Sequence, residues 1–185
     1  MVYRDYRLLW LSALLMQIAQ QMRQLTNFYL VYQITGSTVQ LGLTGLFQLI
    51  PMLTLGLFGG TLADLLDRKK LILVTMLVGF LLPLILWALT ATDMVKVWHI
   101  FAIVTTTSLI NVFGGPARLS MVARTVPQAH LMNAVTINTG TMQITMLAGP
   151  LAAGLLIAWI GVPGVYLISA TLFVPAIAAI LLIRT

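Results

Sequence analysis

Apolar residues run along this chain in long blocks, separated by short breaks of glycine, proline and charge. Six blocks are long enough to cross a bilayer, at approximately 8–32, 39–63, 71–92, 98–117, 131–157 and 162–183. A crossing helix needs about 20 apolar residues, because ~30 Å of hydrocarbon is covered at ~1.5 Å per residue. The breaks fall at Thr35-Gly36-Ser37, at the charged run from Asp64 to Lys70, at Thr92-Asp93, between Pro116 and His130, and between Ile160 and Pro163. Lipid offers the backbone no hydrogen-bond partners, so each block is predicted to be a helix. The pattern predicts an all-α membrane protein with six transmembrane helices. The first block is too long for the core of a signal peptide, and no small-residue cleavage site follows it.

Composition narrows the class further. Of 185 residues, 60% are hydrophobic and 8% charged, with a mean hydropathy of +1.02. A soluble domain carries roughly 25% charged residues, since something must cover its surface. That excludes a soluble enzyme, a secreted module and a disordered tail. The absence of cysteine removes thiolate catalysis, disulfide frameworks and cysteine-ligated metal sites.

The net charge of +6 suggests nucleic acid only until its placement is examined. Arg4, Arg7, Arg68, Lys69, Lys70, Arg118, Arg124 and Arg184 fall on one side of the predicted membrane, and only Lys96 on the other. Lys and Arg concentrate in cytoplasmic loops. The asymmetry therefore predicts a multi-pass protein of the cell (inner or plasma) membrane with both termini cytoplasmic, and no nucleic-acid partner. Trp10 is predicted near the inner interface, and Tyr32, Trp98 and Trp159 near the outer one.

A shift of 94 residues lays Gly60-Thr61-Leu62 over Gly154-Leu155-Leu156, and the turn at Asp67 over Gly161. The first turn is charged and the second is not, so the two copies face opposite sides of the membrane. Two inverted three-helix repeats would give this pattern.

Polar residues inside the blocks are the candidate chemistry. Gln17, Gln20, Gln21, Gln24 and Asn27 share one arc of the first helix, about 120° wide at ~100° per residue, and Arg23 lies at its edge. A mid-membrane arginine costs about 3 kcal/mol unless it faces protein or water. Gln17, Gln20, Arg23, Gln24 and Asn27 are therefore read as the wall of a substrate cavity, with interhelical hydrogen bonding as the alternative. If the stripe lines a cavity, Arg23 favours anionic or catecholate-like groups. Asn111 and the run Thr105 to Ser108 either face that pore or bond their own helix backbone. Pro51, Pro83 and Pro175 are read as kinks. Ser108 and Ser169 have no histidine or aspartate beside them, so enzymatic hydrolysis is not predicted. His99 and His130 fall at opposite surfaces, which rules out a dyad or a shared metal; no metal or cofactor is predicted.

The most specific segment runs from Gly60 through Leu62, Ala63 and Asp64 to Asp67, Arg68, Lys69 and Lys70. It resembles the loop 2–3 signature of the major facilitator superfamily, G-x-L-a-D-r-x-G-r-r/k. Pro116-Ala117-Arg118 through Val126-Pro127 to Asn133-Ala134 resembles the 4–5 connection of the branch containing enterobactin exporters, as Tyr32 to Ser37 resembles its first outer loop. Gly149-Pro150 with Gly154 resembles the Gly-Pro element of that superfamily's helix 5, read here as a hinge. Leu65 and Asp67 depart from the signature, and Thr145 stands at one of the helix-5 glycine positions.

The resemblance implies alternating-access transport of a small solute, with efflux of a siderophore or drug-like compound as its direction and cargo. Asp64 would hold the cytoplasmic helix ends together in one state and release them in the other, with Gly60 allowing close helix approach. No basic residue is predicted within helix 4, so proton coupling through an arginine there does not carry over. Superfamily members pair two six-helix halves. The chain is expected to be the N-terminal half, with a C-terminal half or a second copy of itself as partner beside the lipid bilayer and the substrate. A non-transporting helper or assembly subunit, or an inactive fragment, is the alternative.

Overall fold

The computed structural model describes residues 4–65 and 68–183; for 57–65, 68, 123 and 124 it describes the helical backbone without the side chains. The elements are α1 (Arg4–Thr35), α2 (Thr38–Leu65), α3 (Arg68–Ala91), α4 (Val97–Thr125), a 3₁₀ turn (Gln128–His130), α5 (Leu131–Thr171) and α6 (Phe173–Leu181). Among the described residues there is no strand.

Each connection has a local cause. Gly36 ends α1 at φ 61°, and its N–H donates to the Tyr32 carbonyl at 2.8 Å. This is a left-handed cap that glycine adopts without strain. Asp93 takes the equivalent place after α3 at φ 55°, with the Met94 N–H returning to the Leu89 carbonyl at 2.9 Å. Short polar side chains tolerate that region better than apolar ones.

Two boundaries differ from the sequence reading. Helix α4 does not stop at Ala117 but continues to Thr125. Proline removes one donor without ending a helix that packing holds. Ala117, Met121 and Val122 are buried in a core cluster with Tyr6, Leu9, Ile72 and Met76, and that packing carries α4 past Pro116. The last two predicted blocks fall on α5 and α6, which the hydrogen-bond pattern divides at Leu172, while the predicted break between Ile160 and Pro163 lies inside α5. Within α5, however, Gly161 has φ 72° and ψ 176°, non-helical values that break the helix.

Helices α1 and α5 run parallel. A separation of 128 residues recurs where the Tyr6 hydroxyl donates to the Ala134 carbonyl and where Thr145 meets Gln17. Gln21 and Gly149 keep the same offset, and a Cβ at Gly149 would overlap the Gln21 side chain. Helices α3 and α6 run antiparallel: Lys69 Nζ donates to the Ile183 carbonyl at one end, and Gly79 meets the Phe173 ring further along. A second cluster of Leu30, Val31, Leu86, Ile100, Val162 and Tyr166 closes the opposite end of the bundle. Between the two clusters lies Arg23.

The outer surface is apolar. Leu53, Met132, Leu147, Leu151, Leu155 and Trp159 are all exposed. Four described segments are long and apolar enough to cross a membrane: Thr38–Gly56, Lys69–Ala91, Val97–Val122 and Gln128–Leu181. The last contains 54 residues, roughly twice a single crossing, and it holds the Gly161 break. Helix α1 falls outside that set, since its glutamines and arginines lower its hydropathy. The chain is an all-helical, multi-pass membrane protein.

Candidate solute cavity

Only 7% of Arg23 is exposed. Its Nη1 donates to the Gly79 carbonyl of α3 at 2.9 Å, and its guanidinium carbon lies 5.4 Å from the centroid of the Phe173 ring of α6. The Gly79 carbonyl is open to this donor for a reason written in the chain: the residue four places on is Pro83, which has no N–H to give it. Position 79 must also be small, because a Cβ there would stand 2.7 Å from the Phe173 ring. Glycine and proline at this spacing thus form a seat for the arginine. A carbonyl and an aromatic face stabilise the cation where it is buried between helices.

Around Arg23 the bundle is hollow. Toward the end holding Tyr6 and Lys69 lies a cavity of about 470 Å³, bordered by Met16, Gln17, Gln20, Arg23, Asn111 and Arg118. Toward the other end, a narrow cleft of about 40 Å³ passes between Gln24, Asn27, Thr44, Gln48 and Ser108. Gln20, Arg23, Thr107 and Asn111 border both spaces. The larger volume lies within the ~300–1,000 Å³ typical of small-molecule sites.

All five stripe residues reach these spaces, and several also bond between helices. Gln17 Oε1 lies 3.2 Å from the Thr145 hydroxyl, and Asn27 Oδ1 accepts from the Tyr166 hydroxyl at 2.7 Å. Gln21, on the same arc, turns to α5 instead. Thr105, Thr106 and Thr107 each donate to the carbonyl four residues back, at 2.8 Å in every case. Thr107 nevertheless borders both spaces.

The other candidates are not among the described residues that border this cavity. Gly60 is described only as helical backbone, and the side chains of Asp64 and Arg68 and the whole of Asp67 lie outside the described residues. Lys69 is half-buried and holds the Ile183 carbonyl, and Lys70 is exposed. On α5, Gly149 is buried in contact with α1, while Gly154 is exposed and a Cβ there would meet open space. Helix α5 continues unbroken through Pro150, so its break lies at Gly161. His99 Nδ1 accepts from the Lys96 N–H at 3.0 Å, which caps α4.

Sequence reasoning missed two partners of the site. Arg118 was assigned to a loop, yet it lies within α4 and borders the larger cavity, where its Nη2 meets Met16 Sδ at 2.8 Å. Helix α4 thus carries a basic residue, contrary to the expectation from sequence. Gly79 was not singled out; its spacing to Pro83 was the signal that could have found it.

A family model described as "Transmembrane secretion effector" matches residues 2–185. An uncharacterized MFS-type transporter, YfiS, of Bacillus subtilis (strain 168) is 25% identical over 142 residues, which cover 77% of this chain and 33% of that protein. The chain thus spans about a third of the length of the relative it matches. No solved structure matches it.

Proposed function

The chain belongs to the transmembrane secretion effector family of major facilitator proteins, and on that premise we propose that it carries a small solute across the cell membrane by alternating access. The observation that carries this reading is the cavity around Arg23. A buried cation, four glutamines and two asparagines border a hollow inside an otherwise apolar bundle. Polar groups at membrane depth are costly, and they occur mainly where they face a solute path or one another.

Six crossings in two inverted three-helix repeats fit the packing. Helix α1 packs most extensively on α5, and α2 on α4. A two-fold axis in the membrane plane exchanges the first helix of each repeat, and also the second. That operation turns the α1–α5 contact into the α4–α2 contact. Gly161 then supplies the boundary between the fifth and sixth crossings, with almost no loop.

In this reading the termini and the Lys69 end are cytoplasmic, so the larger cavity opens inward and the narrow cleft is the closed outer gate. The direction is efflux, which agrees with the secretion role in the family's description, and the cargo is siderophore-like or drug-like. Asp64, with Gly60, Asp67, Arg68, Lys69 and Lys70, forms the cytoplasmic gate. The unit works as an N-terminal half against a second six-helix wall, either a C-terminal half or another copy. The relative's greater length leaves room for such a wall.

The test is flux in everted membrane vesicles, screened with fluorescent dyes and catechol compounds. Saturable accumulation with the native protein, lost in Asn111→Trp at equal abundance, supports the proposal. Identical flux in both would overturn it.

A further inference from the structure

The larger cavity holds two cations, and they sit at different depths. Arg23 is at the junction with the narrow cleft, seated on Gly79 and Phe173. Arg118 is on α4, with its Nη2 against Met16 Sδ of α1 at 2.8 Å. A thioether sulfur is a weak acceptor, and a guanidinium has five N–H donors. The one acceptor found for Arg118 therefore leaves most of its hydrogen-bonding capacity for something else. No carboxylate is among the described residues bordering either space. Two like charges facing one hollow of low polarity repel each other, and no described residue bordering it supplies a counter-charge.

Their spacing follows from α1. Met16, which marks the position of the Arg118 guanidinium, precedes Arg23 by seven residues. At ~1.5 Å per residue, the two cations stand about 10 Å apart along the helix. Gln17 and Gln20 border the cavity between them and offer neutral donors and acceptors to the middle of a bound molecule. The walls nearby are apolar, with Ala13, Met52, Leu82 and Ile110.

From this arrangement we infer that the cavity takes an elongated organic dianion, one negative group on Arg23 and the other on Arg118, with an apolar or aromatic body between them. This rests on the reading of the cavity as the solute site and adds the substrate's charge and length. A molecule with one negative group satisfies only one of the two cations.

Calorimetry on the purified protein in detergent tests the inference with two rigid acids, biphenyl-4,4′-dicarboxylate and biphenyl-4-carboxylate. The dianion should bind at least about tenfold tighter than the monoanion, the effect of one additional charge-assisted hydrogen bond. Arg118→Gln should erase that advantage, bringing the dianion down to about the monoanion's affinity, since the second contact is lost. Arg118→Lys should retain part of it, because the charge remains without the forked geometry. If R118Q fails to fold, Arg118→Met, which keeps the bulk, is read in the same way, and the wild-type comparison stands by itself. Equal affinity for the two acids, or an advantage that survives R118Q, overturns the inference. Asn111→Trp separates this failure from that of the underlying reading. Loss of both acids in N111W without a dianion advantage in the wild type refutes only the two-cation site. Binding unchanged by N111W refutes the solute cavity itself.

Discussion

Arg23 on α1 donates to the carbonyl of Gly79 on α3 across 2.9 Å, and that carbonyl lacks a helical donor because Pro83 follows four residues later. A proline on one helix has thus opened a seat for a cation on another. The arginine that borders the cavity is also the donor to this carbonyl, which couples Arg23 to Pro83.

That coupling is measurable as a double-mutant cycle. Arg23→Gln should destabilise the protein by about 1–3 kcal/mol, because it leaves a buried carbonyl short of a donor. Pro83→Ala restores the N–H, so the same substitution in that background should cost less. Thermal unfolding in detergent gives all four values. Additive losses would mean that Pro83 and Arg23 act independently.

Close packing of α1 on α5 depends on Gly149. A methyl group there overlaps Gln21, so Gly149→Ala should cost about 1–3 kcal/mol, the usual effect of overpacking. Gly154→Ala should be nearly neutral, since its Cβ would meet open space. Gln21→Ala should recover part of the Gly149→Ala loss. Equal melting shifts for the two glycine variants would contradict the packing argument.

These contacts also show what the chain revealed beforehand and what it hid. The apolar blocks and the Gly36 and Gly161 breaks were legible, because lipid forces helices and left-handed φ values favour glycine. The polar stripe of α1 was legible from its period. Arg118 was hidden, because Gly114-Gly115-Pro116 reads locally as a loop, and only the burial of Ala117, Met121 and Val122 against α1 and α3 keeps the helix going. Gly79 was hidden for a related reason, since its role exists only once Phe173, 94 residues away in sequence, is packed against it. The boundary at Leu172 has a signal in Pro175, read as a kink, which has no N–H for the Thr171 carbonyl four residues back.

The signature loop yields a prediction from sequence alone. Asp64→Asn removes the charge proposed to hold the cytoplasmic gate while keeping the shape of the side chain. Insertion and abundance should be unchanged, and transport should fall by about tenfold or more, the effect of losing a charge-assisted contact. Normal transport at normal abundance would reduce the loop to a positive-inside anchor.

Topology can be read cleanly, because the chain has no native cysteine. Single cysteines at Ser37 and Met94 should react with an impermeant thiol reagent from outside the cell, and one at Gln128 only after the membrane is opened. The reverse pattern would invert the orientation, and labelling of all three from outside would break the alternation of crossings.

The most direct measurement of the central claim is the water accessibility of the cavity. A single cysteine at Asn111, which borders both the wide cavity and the narrow cleft, is exposed to a negatively charged sulfonate thiol reagent in everted vesicles, with Leu151→Cys on the apolar exterior as control. The account predicts rapid modification at position 111, faster than by a positively charged reagent of the same size because Arg23 and Arg118 face the space, and little modification at position 151. Modification at position 111 that is no faster than at 151, or no preference for the anionic reagent, would contradict a water-filled, cationic solute cavity.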